Sequence, residues 1–172
     1  MMKSVKRILS VMLTLAMLCC LGVSAFAEGA QYKTTQEFLS MLDTVDGVEY
    51  SVEGIVSDTY EKVSISYSGD QSDYTSNIVA YFSEDGEEVQ FSMFNMIDFA
   101  EEDLGDVLMA VNDLNAQSSG MKIYVDTSDN SVTAEFYLLT TPETAVEIAL
   151  TGLGFAIGFT DGAYEALADY AI

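Results

Sequence analysis

The stretch that decides the fold is residues 77–95, which read NIVAYFSEDGEEVQFSMFN. Two apolar runs flank the polar segment 83–87, and this segment contains the pair Asp85-Gly86. An Asp-Gly pair between apolar runs is a strong signal of a β-hairpin, because tight hairpin turns need a left-handed backbone that glycine adopts without steric cost. We therefore predict two antiparallel strands, over residues 77–82 and 88–93.

The same alternation of apolar and polar residues lies upstream of this hairpin. Val63, Ile65 and Tyr67 alternate with serines, and Tyr50 and Val52 alternate with polar neighbours. A period of two is typical of a strand with one buried face. The polar segment at residues 69–76 is predicted to be a loop.

A helix is predicted ahead of these strands, over residues 35–44. Thr34 and Glu37 have the spacing of a capping box, with Thr34 as the N-cap residue, and apolar residues follow at helical spacing. Residues 28–33 are predicted to be a disordered tail. Residues 34–172 show no sign of a boundary or a repeat, so we expect a single domain.

A second helix and a second hairpin are predicted downstream. Acidic residues in the first turn favour a helix that begins at Asp98 and ends near Gln117. Alternating residues on both sides of the turn Asp129-Asn130 indicate two further strands.

A last helix completes the predicted order of elements. Thr141 is the expected N-cap residue, Pro142 occupies the first helical position, and the helix runs towards Tyr170. Consecutive strands joined by short turns pair in antiparallel fashion, and the helices must cover the apolar face of the sheet. The predicted fold is α+β, with an antiparallel sheet of five or six strands and three helices.

Residues 1–27 have the features of a secretory signal peptide. A basic start with Lys3, Lys6 and Arg7 precedes an apolar run over residues 8–23, and residues 25–27 (AFA) form a small-x-small cleavage pattern. We expect cleavage before Glu28 and export from a bacterium, to the periplasm or the extracellular space.

Two alternatives to cleavage remain open. In the first alternative, the segment is an uncleaved membrane anchor, although an apolar run of about 16 residues is shorter than the ~20 residues that span a bilayer. In the second the protein is a lipoprotein modified at Cys19 or Cys20, but neither cysteine follows the small residue that such a site requires.

Composition excludes several kinds of chemistry. The chain has no His, its only two cysteines lie within residues 1–27, and six Lys and Arg stand against 28 Asp and Glu, a net charge of −22. The exported part therefore has no thiolate nucleophile, imidazole base or disulfide. Nucleic acids and anionic membrane surfaces are excluded as partners, because both attract cations.

Enzymatic function and cofactors are not expected. The acidic pairs at residues 87–88 and 101–103 fall where solvated residues are predicted, whereas a glycosidase needs two carboxylates facing each other across a cleft. Residues 126–130 (DTSDN) resemble the start of a calcium loop, but Ser131 and Tyr137 replace the glycine and glutamate that follow in such loops. We interpret this segment as a hairpin turn and expect no metal site.

Residues 77–139 resemble a known family. The most specific piece is the run Asn112-Asp113-Leu114-Asn115 at the end of a predicted helix, followed by Gly120 and by Tyr124-Val125-Asp126 in a strand. Together with the 77–95 hairpin, these motifs resemble the YbjN domain, over about residues 34–170. The family is described as candidate bacterial sensory transduction regulators, and the resemblance implies a fold similar to the type III secretion chaperones and no catalytic residues.

Asn112 and Asn115 are the first candidate site residues. One interpretation is a polar recognition spot. The other, which we favour, is that the asparagines end the helix and bond to backbone groups of the following turn.

The last helix contains the second candidate site. Gly154, Gly158 and Gly162 recur at every fourth residue, with Phe155 and Phe159 beside them. A glycine inside a helix costs about 1 kcal/mol relative to alanine, so three in register predict that something packs closely against them. Three alternatives are open: the stripe faces another element of the chain, it is a surface for a dimer or ligand, or the helix is broken near Gly152 or Gly162.

The sequence therefore predicts an exported, non-enzymatic protein-binding module of the YbjN type, chaperone-like or regulatory. Its expected partner is an unidentified protein client or a second copy of the chain in a homodimer. The acidic surface favours cationic clients. The alternative is a module associated with the cell surface and stabilised by cations.

Overall fold

A computed structural model describes residues 29–57, 59–68 and 75–172. The predicted signal peptide and all but the end of the predicted loop at 69–76 lie outside the described residues. The described part contains three α-helices, six strands and two short 3-10 turns (Glu101–Asp103 and Ala168–Tyr170). The helices are α1 (Lys33–Leu42), α2 (Leu104–Gln117) and α3 (Ala145–Leu167), and the strands are β1 (Val48–Val56), β2 (Tyr60–Ser68), β3 (Thr75–Ser83), β4 (Glu88–Asp98), β5 (Lys122–Asp126) and β6 (Ser131–Leu139).

The six strands form one antiparallel sheet in the order β1-β2-β3-β4-β6-β5. The predicted α+β class with three helices is confirmed. Gly86 turns the β3–β4 hairpin with a φ of +69°, and the Asp85 carboxylate accepts hydrogen bonds from the Ser83 hydroxyl and the Glu87 N–H. The bond from the Glu87 N–H, followed by that from Ser83, lowers the pKa of Asp85. The turn is thus held by its own side chains.

One face of the sheet carries the core. The register places Val63, Ala80, Phe91 and Phe136 side by side across four strands, and all four are buried. Helices α1 and α3 cover this face, and α2 packs beside β5 and α3. We call the opposite side of the sheet the open face, because no helix of the described residues covers it.

Helix α3 is continuous, and its contact with the sheet is unusually close at Gly152. A Cβ atom placed on Gly152 would lie 2.6 Å from Cδ1 of Leu138 and 2.7 Å from Cε2 of Phe91. Real Cβ atoms do not approach other heavy atoms to such distances, so glycine is required for the helix to reach the sheet here. The predicted alternative of a helix broken near Gly152 or Gly162 is wrong.

All three helices begin at positions other than the predicted ones. Tyr32, not Thr34, is the N-cap residue of α1, and Glu37 forms an ion pair with Lys33 at 3.3 Å instead of reaching back to Thr34. Asp98 is the last residue of β4, since the strand continues past the expected end. Pro142 lies in a turn before α3, where the N–H groups of Thr144 and Ala145 both donate to the carbonyl of Thr141.

The start of α1 is held by a carboxylate from another strand. Glu61 of β2 is fully buried, and its two carboxylate oxygens accept hydrogen bonds from the backbone N–H groups of Gln31 and Tyr32, at 2.7 and 3.0 Å. A negative charge at this end also suits the helix dipole. Glu61 thus ties Gln31 and Tyr32 to the sheet, within the segment 28–33 that the sequence predicts to be a disordered tail.

The segment Ala145–Tyr170, which includes α3, is long and apolar enough to cross a membrane by length and composition. Half of its most apolar window is buried inside the fold, as in the core helix of a water-soluble protein. The buried apolar residues of α3 belong to the core, which lies between this helix and the sheet.

Replacing Gly152 by alanine should destabilise the protein, whereas the same change at Gly162 should not. Overpacking at Gly152 costs about 1–3 kcal/mol, more than the ~1 kcal/mol that alanine gains as a helix former. A Cβ atom placed on Gly162 would meet no atom within 4 Å outside its own helical turn, among the described residues. G162A should therefore raise stability by up to ~1 kcal/mol. Urea denaturation of both variants measures the difference, and equal stabilities would show that α3 is not held as closely as described.

Replacing Glu61 by glutamine should lower the free energy of unfolding by about 1.5–3 kcal/mol, because the amide keeps only one accepting oxygen, carries no charge and places an NH2 donor against a backbone N–H in a buried position. The matched control is Glu37→Gln. Glu37 is half exposed and pairs with a mostly exposed lysine, so its loss should change stability by less than ~1 kcal/mol. Denaturation curves in which the two variants coincide would contradict the role of Glu61.

Candidate functional site

A row of four aromatic rings runs from the core to the surface. Phe91 stacks on Phe136 with ring centroids 5.3 Å apart, Phe155 meets Phe136 edge-on at 5.3 Å, and Phe159 lies 6.5 Å from Phe155. We call these four residues the aromatic row. Phe91 and Phe136 are buried, whereas 40% of Phe155 is exposed. The row fixes the orientation of an aromatic side chain that is open to solvent.

The predicted stripe on α3 separates into a buried and an exposed part. Gly154 is buried, Gly158 and Phe159 are half-buried, and Gly162 and Phe155 are exposed. Positions 155, 158 and 162 lie on one side of the helix, because they are separated by three and four residues. A glycine in close contact with the sheet thus lies at position 152, outside the stripe, and part of the stripe faces solvent.

Sequence reasoning did not identify Phe136, the ring that supports Phe155. Phe136 is one of the alternating apolar residues of β6, and nothing in that alternation distinguishes it from a core residue. Its neighbour on α3 depends on how the helix lies across the sheet. The pairing of Phe136 with Phe155 therefore follows only from the three-dimensional arrangement.

The two candidate asparagines have different surroundings. The Asn115 side chain donates to the carbonyl of Ile123 at 2.8 Å and accepts from its N–H at 3.0 Å. This pair of hydrogen bonds to the backbone of β5 joins the end of α2 to the edge of the sheet. Asn112 is exposed to solvent, one turn earlier on α2. Of the two, Asn115 has the bonds of a structural residue.

Acidic residues do not converge on a metal site in the described ranges, where no three Asp or Glu side chains lie close enough to hold an ion. In the segment that resembles a calcium loop, Asp126 accepts hydrogen bonds from both the hydroxyl and the N–H of Ser128, which lower the pKa of Asp126. The residue thus has the bonds of a hairpin turn. Within residues 29–57, 59–68 and 75–172, no structural observation favours the cation-stabilised alternative.

Replacing Asn115 by alanine should lower the free energy of unfolding by about 1–3 kcal/mol, because Ile123 is almost fully buried and its backbone groups lose their partners. Asn112→Ala is the control and should stay within ~0.5 kcal/mol of the original stability. Thermal or urea denaturation measures both. An unchanged stability of N115A, together with a lost partner, would favour the recognition role instead.

Comparison with known proteins gives one family. Residues 74–155 match the model of the YbjN family, which is described as "Putative bacterial sensory transduction regulator". No curated protein matches the chain. Among solved structures, the crystal structure of YbjN from E. coli, described as "a putative transcription regulator", is 11% identical, with 77% of this chain and 90% of that chain covered and a TM-score of 0.42.

The matched segment begins one residue before β3 and ends in α3 at Phe155. It contains the hairpin of β3 and β4, the Asn115 contact and the greater part of the aromatic row. The family is described as regulatory and not as a family of enzymes. The resemblance read from the sequence is thereby confirmed, and residues 74–155 of this chain match the YbjN family.

Proposed function

We propose that this protein is an exported, non-enzymatic, protein-binding module of the YbjN type, which binds a second copy of itself or a protein client through the exposed side of α3. The observation that carries the proposal is Phe155, a large aromatic side chain that is 40% exposed and held by Phe136. Aromatic side chains, phenylalanine among them, are enriched in the buried centre of protein interfaces.

The surroundings of Phe155 suit a protein partner. Because the ring is already held by Phe136, binding costs little conformational entropy. Gly158 and Gly162 lie on the same side of the helix and carry no side chain, so the backbone of a partner can approach closely. A helix of a partner could therefore pack over Phe155 and against the exposed backbone at Gly158 and Gly162.

The charge of the protein supports a cationic client. All 28 acidic residues follow residue 27, and only Lys33, Lys62 and Lys122 accompany them. Of these lysines, Lys62 pairs with Glu53 and Lys122 pairs with Glu135, at 2.6 and 3.1 Å. Such a surface raises the encounter rate with cationic proteins and repels anionic ones.

The test is the solution mass of the exported protein, measured by light scattering at physiological salt after purification from a producing bacterium. We expect a dimer that begins at Glu28, and we expect Phe155→Asp to convert it into a folded monomer, because a charge would be buried at the contact. Met109→Asp is the control, since Met109 is exposed on α2 and should not affect the mass.

Three outcomes contradict parts of the proposal. A chain that still begins at Met1 contradicts export with cleavage. A dimer that persists in the Phe155→Asp variant contradicts the role of α3. A monomeric protein whose binding to every client is unchanged by Phe155→Asp contradicts protein binding through this surface.

A further inference from the structure

The sheet divides between β3 and β4. Pairing of these strands extends from Phe82–Val89 to Val79–Ser92 and then stops. At that point β4 contains a bulge between Met93 and Ile97, and Asn95 within it has a φ of +48°. A bulge bends its strand and redirects the side chains within it. The first residues of β3, Thr75–Ile78, therefore have no pairing partner on β4 among the described residues.

Beyond the bulge, β4 has a different neighbour. Phe99 bridges Ala171 in antiparallel fashion, and the N–H of Ile172 donates to the carbonyl of Asp98 at 3.1 Å. The end of β4 is thus bonded to the segment after α3. Because the end of β4 is bonded there, it does not return to β3, and the two strands stay apart beyond the bulge.

A shallow depression of about 370 Å³ lies where the strands diverge. Phe94, the first bulge residue, is 43% exposed and stands at its side. The strand register supplies six more lining residues from two rows on the open face, and the row between them, Tyr50, Ile65 and Ile78, completes the lining. One row contains Glu49, Ser66 and Asn77, and the other contains Ser51, Ser64 and Val79.

The lining has a specific chemistry. Three serine hydroxyls, one amide and one carboxylate stand beside the Phe94 ring and Val79, and no Lys or Arg is among the lining residues, which also include Tyr50, Ile65 and Ile78. Hydroxyl and amide groups both donate and accept hydrogen bonds, whereas the carboxylate only accepts. Glu49 and the acidic chain disfavour an anionic ligand. The Ser64 and Ser66 hydroxyls donate to Glu53 and Asn77, and an apolar ligand would strip water from their remaining acceptor positions and from Ser51 without replacing those hydrogen bonds.

We infer that this depression binds the ring of a neutral sugar. The equatorial hydroxyls of such a ring would bond to the serines, Asn77 and Glu49, while its apolar C–H face would lie on Phe94. The inference goes beyond the proposed function, because Phe94 lies on the open face and Phe155 on the helical side of the sheet. A site this shallow leaves much of the ligand exposed, so the expected dissociation constant is about 1 mM.

The test is nuclear magnetic resonance of the exported protein, titrated with the methyl glycosides of glucose, galactose and mannose and with dextran. We expect at least one glycoside to shift the amide signals of Ser51, Ser66 and Asn77 in a saturable way. Phe94→Ala should weaken binding at least tenfold, and Phe155→Ala should leave it unchanged. If dextran also binds, the ligand is a residue of a glycan, and if only the glycosides bind, it is a free sugar.

Two further variants keep the test decisive. Ser66→Ala should disturb folding less than Phe94→Ala, and it should also weaken sugar binding. Phe155→Asp, which removes the proposed dimer contact, should leave the sugar-induced shifts intact, so that the two proposals fail separately. The inference is overturned if no glycoside shifts these signals, or if the shifts are the same in Phe94→Ala and in the unchanged protein.

Discussion

The position of α3 depends on one close contact, that of the Gly152 backbone with Phe91 and Leu138. A side chain at position 152 would have to displace the ring of Phe91, which is completely buried. Protein interiors are packed almost as densely as organic crystals, so such a displacement would spread to neighbouring residues. The height and rotation of α3 on the sheet therefore depend on residue 152 having no side chain.

The exposed aromatic ring is a consequence of this contact. With α3 held at Gly152, Phe155 follows three residues later, which is nearly one turn of the helix, and lies over Phe136 instead of over Phe91. Its ring rests on the core at one edge and meets solvent at the other. The contact at Gly152 therefore determines both how α3 packs on the sheet and where Phe155 meets solvent.

Strand β4 has a comparable role for the open face. It pairs with β3 in its first half, bulges at Phe94, and bonds to the segment after α3 in its second half, while β6 stays beside it. The change of partner opens the depression and places Phe94 beside it. The two sides of the sheet therefore carry different kinds of surface, an aromatic side chain on a helix and a polar hollow between strands.

Patterns among residues that are close in sequence predict much of this fold. Contacts between residues that are far apart in sequence are not predicted by such patterns. The alternation in β2 and the Asp85-Gly86 pair predict strands and a hairpin, because both depend on residues a few positions apart. The segment before α1 is held instead by Glu61, some thirty positions away from the N–H groups whose hydrogen bonds it accepts. The regular spacing of glycines on α3 likewise did not predict the contact at Gly152, because which glycine meets the sheet depends on how the helix lies across it.

The order of strands in the sheet has a consequence for how the chain folds. Strands β1 to β4 each pair with their neighbour in sequence, so the first four strands are able to assemble by closing short loops. Pairing of β4 with β6 instead closes a loop that contains α2 and β5. The contact of α3 with Phe91 closes a longer loop. Distant contacts of this kind are formed slowly, so we expect docking of β6 and α3 onto the four-stranded meander to limit the folding rate.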